Sequence, residues 1–97
     1  MRILLLIADP FRRERLRVAC RSAGHEAHGG DPLDSASVFT MAPDRVELLI
    51  LDPHLLAQRG AALLSNWRRM APGSRVVMLA SPAQDLSVLR SALGPDA

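Results

Sequence analysis

An α/β domain, with a parallel sheet between two layers of helices, is the fold this sequence predicts. Three observations carry it. Apolar runs of strand length recur at residues 2–8, 46–51 and 75–80, and continuous apolar runs mark strands buried on both faces. A segment of helix length follows each run. Asp-Pro or Ser-Pro stands at the junctions, at Asp9-Pro10, Asp52-Pro53 and Ser81-Pro82, and a capping side chain before a first-turn proline is a helix start.

The first strand is Arg2 to Ala8, and Asp9 caps a helix over residues 10–23. Phe11, Leu16, Val18, Ala19 and Ala23 are its expected inward positions, and Gly24 stops it. Residues 25–28 (His-Glu-Ala-His) form a short polar strand suited to a sheet edge. Gly29-Gly30 makes a loop. Asp31-Pro32 starts a second helix over residues 32–42, and Asp34 complements its macrodipole. Pro43-Asp44 breaks it.

Residues 46–51 form the next strand, which ends at Asp52-Pro53. A loop over 54–60 closes at Gly60. The helix 61–70 carries Leu63, Leu64, Trp67 and Met70 at helical spacing, which reads as core packing. Pro72-Gly73 ends it. Residues 75–80 form the last strand. Ser81-Pro82-Ala83-Gln84 reads as a capping box that opens a helix over 82–93, and Gly94-Pro95 stops that helix. The order βαβαβαβα, with helix-length crossovers, predicts parallel strands and right-handed connections within one domain over residues 1–97.

Composition removes several functions. Of the 97 residues, 48% are hydrophobic and 23% charged, which suits a soluble globular chain. No apolar run approaches the roughly 20 residues that cross a bilayer. The opening residues lack the apolar core and cleavage site of a signal peptide. Cys20 is the single cysteine, so no intrachain disulfide forms, and a reducing cytoplasm is expected. All twelve basic residues are arginine. Lysine-dependent chemistry is therefore excluded, the Walker lysine included. Tyrosine is absent, and Phe11, Phe39 and Trp67 are the whole aromatic set, too few for a base-stacking platform.

In open parallel sheets the functional crevice lies outside the carboxyl ends of the strands. Here those ends carry Asp9, Asp52, and Ala80 with Ser81.

These residues resemble the response-regulator receiver family. The likeness rests on the opening RILLLIADP, the helix running to RSAGHEA, the strand LLILD ending at Asp52, the loop closed by Gly60, and RVVMLAS. Their spacing together covers nearly the whole chain. The resemblance implies a flavodoxin-like fold of strand order 2-1-3-4-5. It implies a phosphoacceptor aspartate at the end of the third strand, which falls on Asp52. It also implies an Mg²⁺-holding acidic pair after the first strand, a hydroxyl after the fourth that contacts the phosphoryl group, and a lysine after the fifth.

The sequence departs from that pattern at nearly every helper. The acidic pair falls on Ile7 and Ala8, with Asp9 one place late. The hydroxyl position falls on Ala80, with Ser81 one place late. The lysine, the fifth strand and the fifth helix have no counterpart before Ala97. Pro53 is unusual after the acceptor. Phosphoryl transfer needs cations on the transferring oxygens, and Mg²⁺ prefers near-octahedral oxygen ligands. Asp9 and Asp52 are the two candidate metal ligands, and they form a poor cage. The expectation is a receiver-like module without enzyme activity or a required cofactor. It would signal through protein contacts with a histidine kinase or an output protein, and nucleic acid would be reached only through an output domain.

Other features read more plainly. Arg12, Arg13, Arg15, Arg17 and Arg21 read as a solvated helix face rather than a nucleic-acid stripe. His25 and His28 face opposite sides of a strand, so with Glu26 they do not make a metal cluster. His54 reads as a solvated loop histidine. Cys20 reads as a small buried hydrophobe. Without a fifth strand, Val76 to Leu79 would form an apolar edge that proteins normally cover, so a homodimer around residues 75–93 is expected. The alternative is a small α/β nucleotide-binding domain or enzyme sharing only the layout. No G-x-G-x-x-G, P-loop or nucleophile–base pair supports it. A third reading, arginine-driven nucleic-acid binding, predicts affinity that collapses with salt.

Overall fold

The computed structural model describes residues 1–30, 45–53 and 61–94. The expected helix over 32–42, the loop over 54–60 with His54, and Pro95 lie outside the described residues.

Within them the strands are β1 (Arg2–Leu6), β2 (Glu26–Gly30), β3 (Leu48–Leu51) and β4 (Arg75–Met78). The helices are α1 (Pro10–Ser22), α2 (Ala61–Met70) and α3 (Asp85–Leu93), with a 3₁₀ turn over Pro82–Gln84 before α3. The strands form one parallel sheet in the order β2-β1-β3-β4. This is the α/β layout that the apolar runs predict, and it is compatible with a flavodoxin-like arrangement.

β1 and β3 are apolar throughout their interior because both of their faces are covered. Alternate residues of β1 feed opposite cores. Ile3, Leu5 and Ile7 join Leu16 and Cys20 of α1, Leu48 and Ile50 of β3, and Leu79 and Leu89. Leu4 and Leu6 join Leu49, Leu51, Trp67 and Ala71 on the other face. One layer therefore holds α1 and α3, and the other holds α2. Burying a residue such as Leu16 on the first face is worth about 1.5–3 kcal/mol.

The placement of α3 is informative. A right-handed crossover that stepped outward past β4 would run on the same face as α2, which leads into β4. Instead α3 returns across the sheet to the α1 face. Its Leu89 enters the α1 core and its Val88, Ala92 and Leu93 pack beside it.

Several expectations change. Phe11 and Val18 do not face inward; they are 86% and 51% exposed. The buried residues of α1 are Arg12, Leu16 and Cys20, a spacing of four that forms one face. An apolar reading misses that face because its first member is charged. The Ser81 side chain makes no capping hydrogen bond; its carbonyl instead accepts from the Gln84 N–H at 3.0 Å, a 3₁₀ turn intervenes, and the α-helix begins at Asp85 rather than Pro82. The β4 edge is only partly apolar at the surface. Val76 and Val77 are half-buried, Leu79 is buried and Met78 is exposed. Trp67 and Cys20 are buried as expected. Gly24 takes a φ of 88°, a left-handed conformation that glycine reaches without steric cost, and so ends α1.

Candidate functional site at the carboxyl ends of the strands

The parallel sheet brings the ends of β1, β3 and β4 to one side. Asp9 follows β1, Asp52 follows β3, and Ala80 with Ser81 follow β4. The candidate residues thus share one edge of the molecule, but they are not equivalent there.

Asp9 is exposed and caps α1. Its Oδ1 accepts from the backbone N–H of Phe11 at 2.9 Å and of Arg12 at 3.5 Å. Such a cap is worth about 1 kcal/mol. Ile7, at the position where the resemblance puts an acidic residue, is fully buried in the α1-side core. Ala8 and Ala80 are exposed and carry no ligand atom in their side chains. Ser81 is half-buried.

Asp52 is buried at the end of the central β3, with 5% of its surface exposed. Its backbone N–H donates to the Leu6 carbonyl at 3.1 Å, which fixes it beside the end of β1. Its Oδ2 lies 3.8 Å from a terminal nitrogen of Arg12.

Arg12 is the residue that sequence reasoning placed wrongly. It is not part of a solvated face; it is 8% exposed. Its Nε and one terminal nitrogen donate to the two carboxylate oxygens of Asp85, each at 2.7 Å. The same terminal nitrogen donates to the Leu79 carbonyl at 2.9 Å. The other terminal nitrogen faces Asp52. The planar fork of arginine serves several acceptors at fixed angles, which a lysine ammonium does not do. Hydrogen bonding to Asp85 raises the Arg12 guanidinium above its ordinary range, against the opposing effect of burial.

Asp85, the first residue of α3, is 1% exposed. Arg15 approaches its Oδ2 at 3.5 Å from a half-open position. Arg12 and Arg15 thus face Asp52 and Asp85, two cations against two anions. A buried charge is tolerated only when paired and hydrogen-bonded; Arg12 and Asp85 meet that condition with each other, and a guanidinium nitrogen stands 3.8 Å from Asp52. The only sequence signals for it were the four-residue spacing of Arg12, Leu16 and Cys20, and an aspartate just after the proline turn at 82–84.

This donor set does not fit Mg²⁺. Asp9 is turned to the helix cap, Ile7 and Ala8 offer no oxygen in their side chains, and a guanidinium already stands beside Asp52. At an effective dielectric of about 20, unit charges 4 Å apart interact by about 4 kcal/mol. A divalent ion next to Arg12 would meet about twice that repulsion.

The remaining sequence candidates lie elsewhere. His25 Nδ1 is 2.9 Å from the N-terminal amine, and His28 is 3.1 Å from Glu26, so the two histidines do not converge. No helix among the described residues is long and apolar enough to cross a membrane. Comparison of the chain with protein-family models, with curated proteins and with solved structures gives no match.

Proposed function

We propose that the chain is a receiver-like regulatory domain of two-component phosphorelay signalling, acting in the cytoplasm. Asp52 holds the phosphoacceptor position, and the domain works through contacts with a histidine kinase or an output protein rather than through phosphoryl transfer. The observation that carries this reading is the position of Asp52. It is a buried carboxylate at the carboxyl end of the central strand of a 2-1-3-4 parallel sheet, the place where such sheets do their chemistry. The arginine beside it supports the second half. A carboxylate engaged by a guanidinium is a hindered nucleophile, and among the described residues no group of three or more His, Cys, Asp or Glu side chains is placed to hold the metal ion that phosphoryl transfer uses.

Two measurements test the two halves. Intact-mass analysis after incubation with Mg²⁺ and a small phosphodonor is expected to show no adduct. A stoichiometric adduct that disappears in Asp52→Asn would overturn the claim of contact-only signalling. Interferometry against a panel of histidine-kinase dimerisation domains is expected to show binding without transfer. If none of the panel binds and a nucleotide instead raises the melting temperature, the receiver reading gives way to a nucleotide-binding domain.

A further inference from the structure

We infer that Arg12 is the resident cation of this site: it neutralises Asp52 in place of a metal ion and clasps the β4–α3 connection in one conformation without any ligand. The assignment holds whether or not the chain is a receiver, since it needs only the distances at Arg12.

Three observations converge on it. First, the position is central. The guanidinium reaches β3 through Asp52, the end of β4 through the Leu79 carbonyl, and α3 through Asp85. It does so from the first turn of α1. Second, the charges stand close together. Arg12 stands within 4 Å of both Asp52 and Asp85, and Arg15 adds a second guanidinium beside Asp85, so each buried carboxylate already faces a cation. Third, the clasp is buried and bidentate. Both Asp85 oxygens are engaged at 2.7 Å, and Asp85 itself is 1% exposed. Planar, two-point pairs of this kind fix orientation as well as charge.

The consequence concerns the segment after β4. In many α/β sites a loop at the strand ends changes shape when its ligand arrives, because the ligand has different contacts with the two shapes. Here Arg12 already binds the Leu79 carbonyl on one side of the connection and Asp85 on the other. The connection at residues 80–84 is anchored at both ends by one side chain. A ligand therefore finds the segment set.

The test uses Mn²⁺ as the probe, followed by the loss of the free-ion paramagnetic resonance signal. Wild type and Arg12→Lys, which keeps a cation, are expected to leave the signal unchanged. Arg12→Ser exposes the Asp52 and Asp85 carboxylates to solvent ions and is expected to bind Mn²⁺ at least about tenfold more tightly than wild type. Adding Asp52→Asn to that variant is expected to abolish the gain. Wild-type binding that is lost in Asp52→Asn would overturn the inference, as would a folded Arg12→Ser chain that takes up no Mn²⁺. Hydrogen exchange on the wild type gives an arm that needs no variant to fold. Amides at 81 and 83–85 are expected to exchange at the same rate with and without Mg²⁺, and Mg²⁺-dependent protection there would overturn the clasp.

Discussion

Arg12 and Asp85 stand 73 positions apart in the sequence, and two hydrogen bonds of 2.7 Å join them in the interior. This pair ties the start of α1 to the start of α3. It also explains why α3 lies on the α1 face of the sheet, since the ion pair and Leu89 hold the helix from its first turn onward. The pair sits where the strand ends meet, so the stability of the fold and the chemistry of the site depend on the same atoms.

Removing one partner should therefore be costly. Breaking a buried ion pair from one side typically costs about 3–5 kcal/mol, because the other charge stays behind unpaired. A chain of this length has roughly 5–15 kcal/mol in total. Arg12→Ala is expected to lower the melting temperature by roughly 12–40 °C, at about 4–8 °C per kcal/mol. The double change Arg12→Met with Asp85→Leu removes both charges of the pair and should recover part of that loss, with the remainder due to buried Asp52 losing Arg12. Thermal denaturation of the three proteins checks this. A single variant as stable as wild type would show that the pair does not hold α3.

Most of the fold was legible from apolar runs, because buried parallel strands announce themselves by continuous hydrophobicity. The helix over 61–70 was read with its observed bounds, and Trp67 and Cys20 with their observed burial. The site was legible only in part. Asp9 and Asp52 could be placed at strand ends from the order of elements alone. Arg12 and Asp85 could not be paired, because a long-range ion pair leaves no local periodicity in the sequence. Phe11 and Val18 were misplaced for a related reason. Hydropathy ranks them above Arg12, yet the guanidinium belongs to the buried face because its partners wait there.

Cys20 offers a check on the α1-side core. It is fully buried there, and burial pushes its thiol above the ordinary value of 9.0. The thiolate is the reactive species, so native Cys20 should react only when the core opens. At mildly alkaline pH a disulfide reagent is expected to label the native chain roughly a thousandfold more slowly than the urea-unfolded chain, in line with a marginal folding equilibrium. Equal rates in the two states would place the thiol outside the core.

Acid should weaken two surface pairs. Glu14 lies below its ordinary value of 4.5 through its hydrogen bonds with Arg17. Glu26 is lowered by hydrogen bonding to His28 and then to Arg2. A carboxylate lowered on folding adds stability that is fully present above the unfolded value and lost as pH falls through the folded one. The urea midpoint is thus expected to fall between about pH 5 and about pH 3, by a small amount because both groups are exposed. High salt should shrink the part due to these pairs. A midpoint that rises on acidification would contradict the assignment.

β4 poses the question of a second copy. Among the described residues it pairs only with β3, and its Met78 is 40% exposed while Val76 and Val77 are half-buried. Since α3 returns over the α1 face, it does not extend the sheet beyond β4. An edge with unpaired backbone groups and apolar side chains is a site for strand addition, and charged residues are the usual guard. Arg75 stands at the start of this strand, but one of its terminal nitrogens is 2.7 Å from the Ala92 carbonyl, so it leans on the end of α3. We expect two chains to cover each other's β4 edges. Light scattering at micromolar concentration should give twice the 10.5 kDa chain mass, and Met78→Lys, which puts a charge on the edge, should halve it. A wild-type monomer at that concentration would rule out the paired edge and leave the short length of β4 as its own protection.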